Sequence, residues 1–130
     1  MNRTVQYLQS DHTAERGVEM GILVDHILAD GIAAGASDIH IEPWEDSIAV
    51  RIRLNGVLTE LAHLPLDLMD KLSGRLKVMA NLVTYQTELP QEGHAPGGAH
   101  LGNVELRISV FPTTRGEKIV IRLFDPRNQI

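Results

Sequence analysis

Residues 46–64, DSIAVRIRLNGVLTELAHL, hold the strongest local signal in this chain. Ile48, Val50, Ile52 and Leu54 alternate with other residues, and a period of two sets their side chains on one side of an extended backbone. Asn55-Gly56 follows at once. A tight two-residue hairpin turn selects that pair because both central positions need a positive φ. The stretch predicts a β-hairpin with an apolar inner face, and strict alternation sends Arg51 and Arg53 to its outer face.

The same alternation continues on either side. Upstream, residues 35–44 read GASDIHIEPW. Ile39 and Ile41 point one way, Asp38, His40 and Glu42 the other, and Pro43 stops the strand. Before it, Leu23, Val24, Ile27, Leu28 and Ile32 recur at three- and four-residue spacing, predicting an amphipathic helix over 16–34. Gly35 stands where a helix end favours a left-handed residue, while Gly17, Gly21 and Gly31 weaken the helix itself. After Pro65 a second helix is expected over 66–80, burying Leu68, Leu72, Leu76 and Met79 and leaving Lys71 and Arg75 on another face. Residues 82–103 are dense in Pro and Gly and read as a loop or loose hairpin. NVELRISVFP then sets Val104, Leu106, Ile108 and Val110 inward and Arg107 outward. TTRGE turns, and KIVIRLFD returns with Ile119, Ile121 and Leu123 inward and Arg122 outward.

The expected fold is α+β: a largely antiparallel sheet with helices packed on one face. With 130 residues, 43% of them apolar, one compact domain is expected. The absence of cysteine excludes disulfides and thiolate metal sites. No apolar run opens the chain, so neither a signal peptide nor a membrane span is expected, and a cytoplasmic protein is the economical reading. The net charge of −5 is uneven, since residues 1–46 carry nine acids and two bases and the remainder eight acids and ten bases. An acidic chain with five aromatic residues lacks the cationic footprint and stacking rings of a nucleic-acid binder, so no nucleic-acid partner is expected.

Arg51, Arg53, Arg107 and Arg122 thus share the face opposite the helices. Outward arginines on a half-buried sheet are commonly a solvated surface, here with Glu42, Glu60, Glu105 and Glu117 as available partners. The alternative is that planar, permanently charged guanidinium groups converge on an anion, for which phosphate is the best geometric match. Asp38, His40 and Glu42 admit a metal reading too, because i and i+2 on a strand are neighbours. No HExxH or comparable ligand spacing supports it, so no metal is expected, and a hydrolase lacks a nucleophile and an oxyanion pocket.

GASDIHIEPWEDSIAVRIRLNGVL, LPLDLMDKLSGRLKVMANL, LPQEG and VELRISVFPTTRGEKIVIRLFD together resemble, in order and spacing, the N-terminal subdomain of the secretion ATPases of type II secretion and type IV pilus assembly. The resemblance covers about residues 20–125. It implies a PAS-like α/β sandwich over 16–125, with 126–130 the start of a linker to a RecA-like domain; residues 1–15 lack sustained periodicity and are expected to be a mobile lead-in or a linker. It further implies a homo-hexamer that engages secretion or pilus inner-membrane platform proteins, and so lies peripheral to that membrane. In such a motor, Arg107 and Arg122, followed by Arg51 and Arg53, would contact nucleotide phosphates. Asp38, His40 and Glu42 would orient the arginines, with Asp38 and Glu42 lying near Arg53 and Arg51.

Three departures matter. The ATPase domain of the family carries a Gly-rich loop ending Gly-Lys-Ser/Thr, whereas none of the eleven glycines here precedes a lysine. No cofactor is therefore expected in this chain, ATP and Mg being expected only with the partner domain, and the chain is not expected to be an enzyme alone. Asn55 stands where Asp is usual, an exchange both turn residues tolerate. His94 stands where an arginine is common, so the resemblance does not extend a phosphate contact to that loop. A free-standing adaptor or small-ligand binding module that kept the fold without a motor remains the alternative.

Overall fold

The computed structural model describes residues 1–128. The expected hairpin is formed by β2 (Ile48–Leu54) and β3 (Val57–Leu64), joined by Asn55 at φ 51° and Gly56 at φ 82°. Asp38–Pro43 is β1, and the last third supplies β5 (Glu105–Thr113) and β6 (Gly116–Phe124). β1 lies between the two hairpins, pairing antiparallel with β2 on one side and β6 on the other. With β4 (Gln91–Pro96) added, the sheet is six-stranded in the order β3-β2-β1-β6-β5-β4, every pair antiparallel.

Helices cover one face, giving the α+β layer plan. α3 (Met20–Ala33) and α4 (Met69–Met79), the latter entered through a 3-10 turn at Leu66–Leu68, press their apolar stripes onto the sheet. Leu23, Leu28, Leu72 and Leu76 meet a floor of Ile39, Ile41, Val50, Leu106, Ile108 and Ile121, all buried. Each such side chain contributes about 1.5–3 kcal/mol of burial free energy. Gly31, a liability for the helix as a sequence, has a packing role: a Cβ there would sit 2.8 Å from Ile39 Cδ1, so glycine lets α3 approach β1. No described helix is long and apolar enough to cross a membrane.

Two segments depart from expectation. Residues 1–15, expected to be an irregular lead-in, fold as α1 (Arg3–Leu8) and most of α2 (Asp11–Arg16). They are too short to show periodicity, and tertiary contacts hold them. The buried Asp30 carboxylate of α3 accepts hydrogen bonds from Arg3 N at 3.0 Å, Thr4 N at 2.8 Å and Thr4 Oγ1 at 2.6 Å. Tyr7 is buried, and its hydroxyl accepts from Glu19 N at 2.8 Å. Asn2 donates to Leu61 O at 2.8 Å, thereby occupying a backbone acceptor where the edge strand β3 bulges.

Residues 82–103, expected as loop, contain β4 (Gln91–Pro96) and a 3-10 turn at Ala99–Leu101. β4 has little apolar alternation to betray it, since Ala95 is its one buried residue. Gln91 does the work of a strand neighbour with its side chain, accepting from Val83 N at 2.8 Å and donating to Val83 O at 2.9 Å. At Gly93 a Cβ would lie 2.5 Å from Ala80 O, so only glycine admits this close approach of the 80–83 backbone.

Candidate functional site

The face opposite the helices is built by strand parity. With Ile39 and Ile41 in the core, Asp38, His40 and Glu42 stand outward from the central strand. Register places Arg51 beside His40 and Arg122 beside Asp38. Arg107 is directly opposite Arg122, and His94 of β4 directly opposite Arg107. A transverse row of Arg53, Asp38, Arg122, Arg107 and His94 therefore crosses five strands.

The two halves of this face differ electrostatically. Around β1 and β2 the cations are engaged: Arg53 Nε lies 3.3 Å from Asp38 Oδ2, and Arg51 Nη2 lies 3.4 Å from Glu42 Oε2. Arg53 also donates to Gly56 O at 3.0 Å, and Lys118 Nζ lies 3.5 Å from Glu42. His40 Nε2 meets Asp38, and Arg51 stacks 5.5 Å from the Trp44 ring. These are the carboxylate–guanidinium neighbours expected if DIHIEP pairs with the hairpin. Burial alone would raise the Asp38 pKa. Hydrogen bonds from Ser37 and His40, the charge of His40 and the Arg53 hydrogen bond outweigh it, so the carboxyl lies below the ordinary aspartate range.

Across β5 and β6 the arrangement reverses. Arg107 and Arg122 are cross-strand partners of like charge, and among the described residues neither has a carboxylate within ion-pair distance. Both lie against one ring, Arg107 at 5.1 Å and Arg122 at 5.9 Å from the Phe124 centroid. Directly opposed like charges disfavour the sheet. Each cation–π contact returns about 0.5–1 kcal/mol at an exposed site, and the pair is left with its hydrogen-bond donors available to an anion.

Of the four glutamates expected to partner the arginines, only Glu42 does so. Glu60 meets His63, and Glu105 lies 3.6 Å from His94. Glu117 turns inward, where its carboxylate lies 2.8 Å from the Nζ of Lys77 and accepts from Ser73 Oγ at 2.8 Å. Among the described residues, no three His, Asp or Glu side chains converge as a metal site requires. Sequence reasoning passed over Phe124, Lys118 and the strand position of His94. Parity along KIVIRLF was the available signal for Lys118 and Phe124; nothing local marked the strand position of His94.

Comparisons with known proteins agree with the motif reading. A family model described as "Type II/IV secretion system protein" matches residues 13–130. The chain is 43% identical over 109 residues to the type IV pilus assembly ATPase PilB of Myxococcus xanthus, covering 82% of this chain and 19% of that protein. It is 40% identical over 105 residues to the type IV pilus assembly ATPase TfpB of Acinetobacter baylyi, covering 80% and 18%. To the type II secretion system protein E of Pseudomonas aeruginosa it is 38% identical over 103 residues, covering 79% and 20%. The chain spans about a fifth of the length of these curated relatives.

Proposed function

This chain belongs to the type II/IV secretion system protein family, and from that premise we propose that it is a non-catalytic subdomain of a hexameric secretion or pilus assembly ATPase, supplying arginines to the nucleotide phosphates. The observation that carries this reading is the opposed pair Arg107 and Arg122, which lacks a carboxylate partner among the described residues. An arginine presented by a moving domain stabilises the charge that accumulates during phosphoryl transfer, with a value of about 10³–10⁵ in rate.

In this reading, ATP and Mg bind a RecA-like domain elsewhere in the motor, and closure of the two domains brings the β5/β6 arginines to the phosphates. Asp38 and Glu42 hold Arg53 and Arg51 in place, and His40 holds Asp38. Those two arginines are already engaged and so serve the phosphates less directly than Arg107 and Arg122. Rigid-body movement of the subdomain then couples nucleotide state to inner-membrane platform partners on the cytoplasmic side.

The test is ATP turnover by the motor that contains this subdomain. Arg107→Glu together with Arg122→Glu abolishes hydrolysis while circular dichroism shows the subdomain folded. Retained turnover in a folded double variant overturns the proposal.

A further inference from the structure

We propose that His94 is a further member of the anion-contact row, one whose positive charge is present only when the imidazole is protonated. The inference rests on the anion reading of Arg107 and Arg122 given above. His94 lies on β4, directly opposite Arg107, which in turn lies opposite Arg122. Three donor side chains therefore occupy successive positions of one transverse row. The histidine is exposed, so its ring is open to a small oxyanion from solvent.

An arginine at this position would hold its charge at every physiological pH, whereas an imidazole is charged only when it has taken up a proton. The charged groups facing His94 are few. From β5 come Arg107 directly and Glu105, whose carboxylate lies 3.6 Å from Nδ1. Its own strand supplies Glu92, two residues away on the same face, and β6 supplies Arg122 beyond Arg107. In the 97–103 segment the one titratable side chain, His100, lies 3.4 Å from Asp25 instead. Residues 80–83, which approach Gly93 from the other side, are Ala, Asn, Leu and Val. Protonation thus converts the end of the row from a neutral hydrogen-bonding group to a third cation. Glu105 competes with the anion for that imidazolium without neutralising Arg107 or Arg122.

Sulfate is the suitable probe, because it keeps its double negative charge where phosphate groups themselves titrate. Binding to this chain is followed by NMR titration near pH 5.5 and near pH 8, on either side of histidine's usual range. The wild-type chain binds at least about fivefold more tightly at the lower pH, the scale of two unit charges about 4 Å apart in bulk water, which the second charge of sulfate enlarges. His94→Gln binds with the same affinity at both, and His94→Arg binds tightly at both. A His94→Gln variant that keeps the wild-type pH profile overturns the proposal. Arg107→Gln separates the two levels of the argument. If it leaves sulfate affinity unchanged, the anion face itself is refuted. If it weakens binding while His94→Gln keeps the wild-type profile, only the role of His94 fails.

Discussion

Replacing Arg122 by glutamine separates a residue kept for the fold from one kept for a ligand. The structure supplies three terms. Relief of the like-charge opposition with Arg107 stabilises by about 0.2–1 kcal/mol, and loss of the opposite-charge opposition with Asp38 on the other side costs a similar amount. Loss of the contact with Phe124, at 5.9 Å near the outer limit for a cation–π pair, costs about 0.5 kcal/mol. No ion pair is lost among the described residues, and the side chain is exposed, where substitutions otherwise stay within about 0.5 kcal/mol. The net change is therefore about zero, within roughly 0.5 kcal/mol. With a urea m-value of about 1–3 kcal/mol/M for a small domain, the unfolding midpoint moves by less than about 0.5 M. Trp44, at the edge of β1, reports the transition by fluorescence. Sulfate affinity falls at least about fivefold in the same variant, since one unit charge near the ligand is lost. Arg53→Gln is the contrast: it removes the contacts with Asp38 and Gly56 O and destabilises by about 1 kcal/mol. A loss of more than about 1.5 kcal/mol in Arg122→Gln would show that Arg122 serves the fold and refute the free-cation argument.

Three other expectations follow from the same geometry. Lys77 is 1% exposed, and its Nζ lies 2.8 Å from both Glu117 Oε2 and Gln86 O. Glu117→Ala therefore strands a buried charge at a cost of about 3–5 kcal/mol, whereas Lys77→Met with Glu117→Leu recovers most of it in urea unfolding. Asp38, with its folded-state pKa below the unfolded value, contributes stability that is present above the unfolded value near 3.9 and lost as the pH falls through the lower folded value. Asp38→Asn flattens that part of the acid-unfolding curve, and an unchanged curve contradicts the assignment. Asp30→Ala leaves the amides of Arg3 and Thr4 and the Thr4 hydroxyl without their acceptor. It lowers stability by about 1–3 kcal/mol, and amide exchange accelerates first in residues 3–8.

Local chemistry makes much of this protein legible in its sequence. Alternation in Ile48–Leu54 and the Asn55-Gly56 pair specify a hairpin, because side-chain parity and turn dihedrals are properties of a few consecutive residues. The same parity assigned Ile39, Leu106 and Ile121 to the core and Arg51, Arg53, Arg107 and Arg122 to the outer face. Which arginines retain free charge depended on register, which links residues distant in sequence. Tertiary pairing set Asp38 against Arg53 and Glu42 against Arg51, while it opposed Arg107 to Arg122 and brought Lys77 to the inward Glu117. It also held α1 against Asp30 and drew the Gly- and Pro-rich segment 91–96 into the sheet beside β5. Periodicity can assign a side chain to a face, but its neighbour across that face is set by hydrogen bonding between strands far apart in the chain.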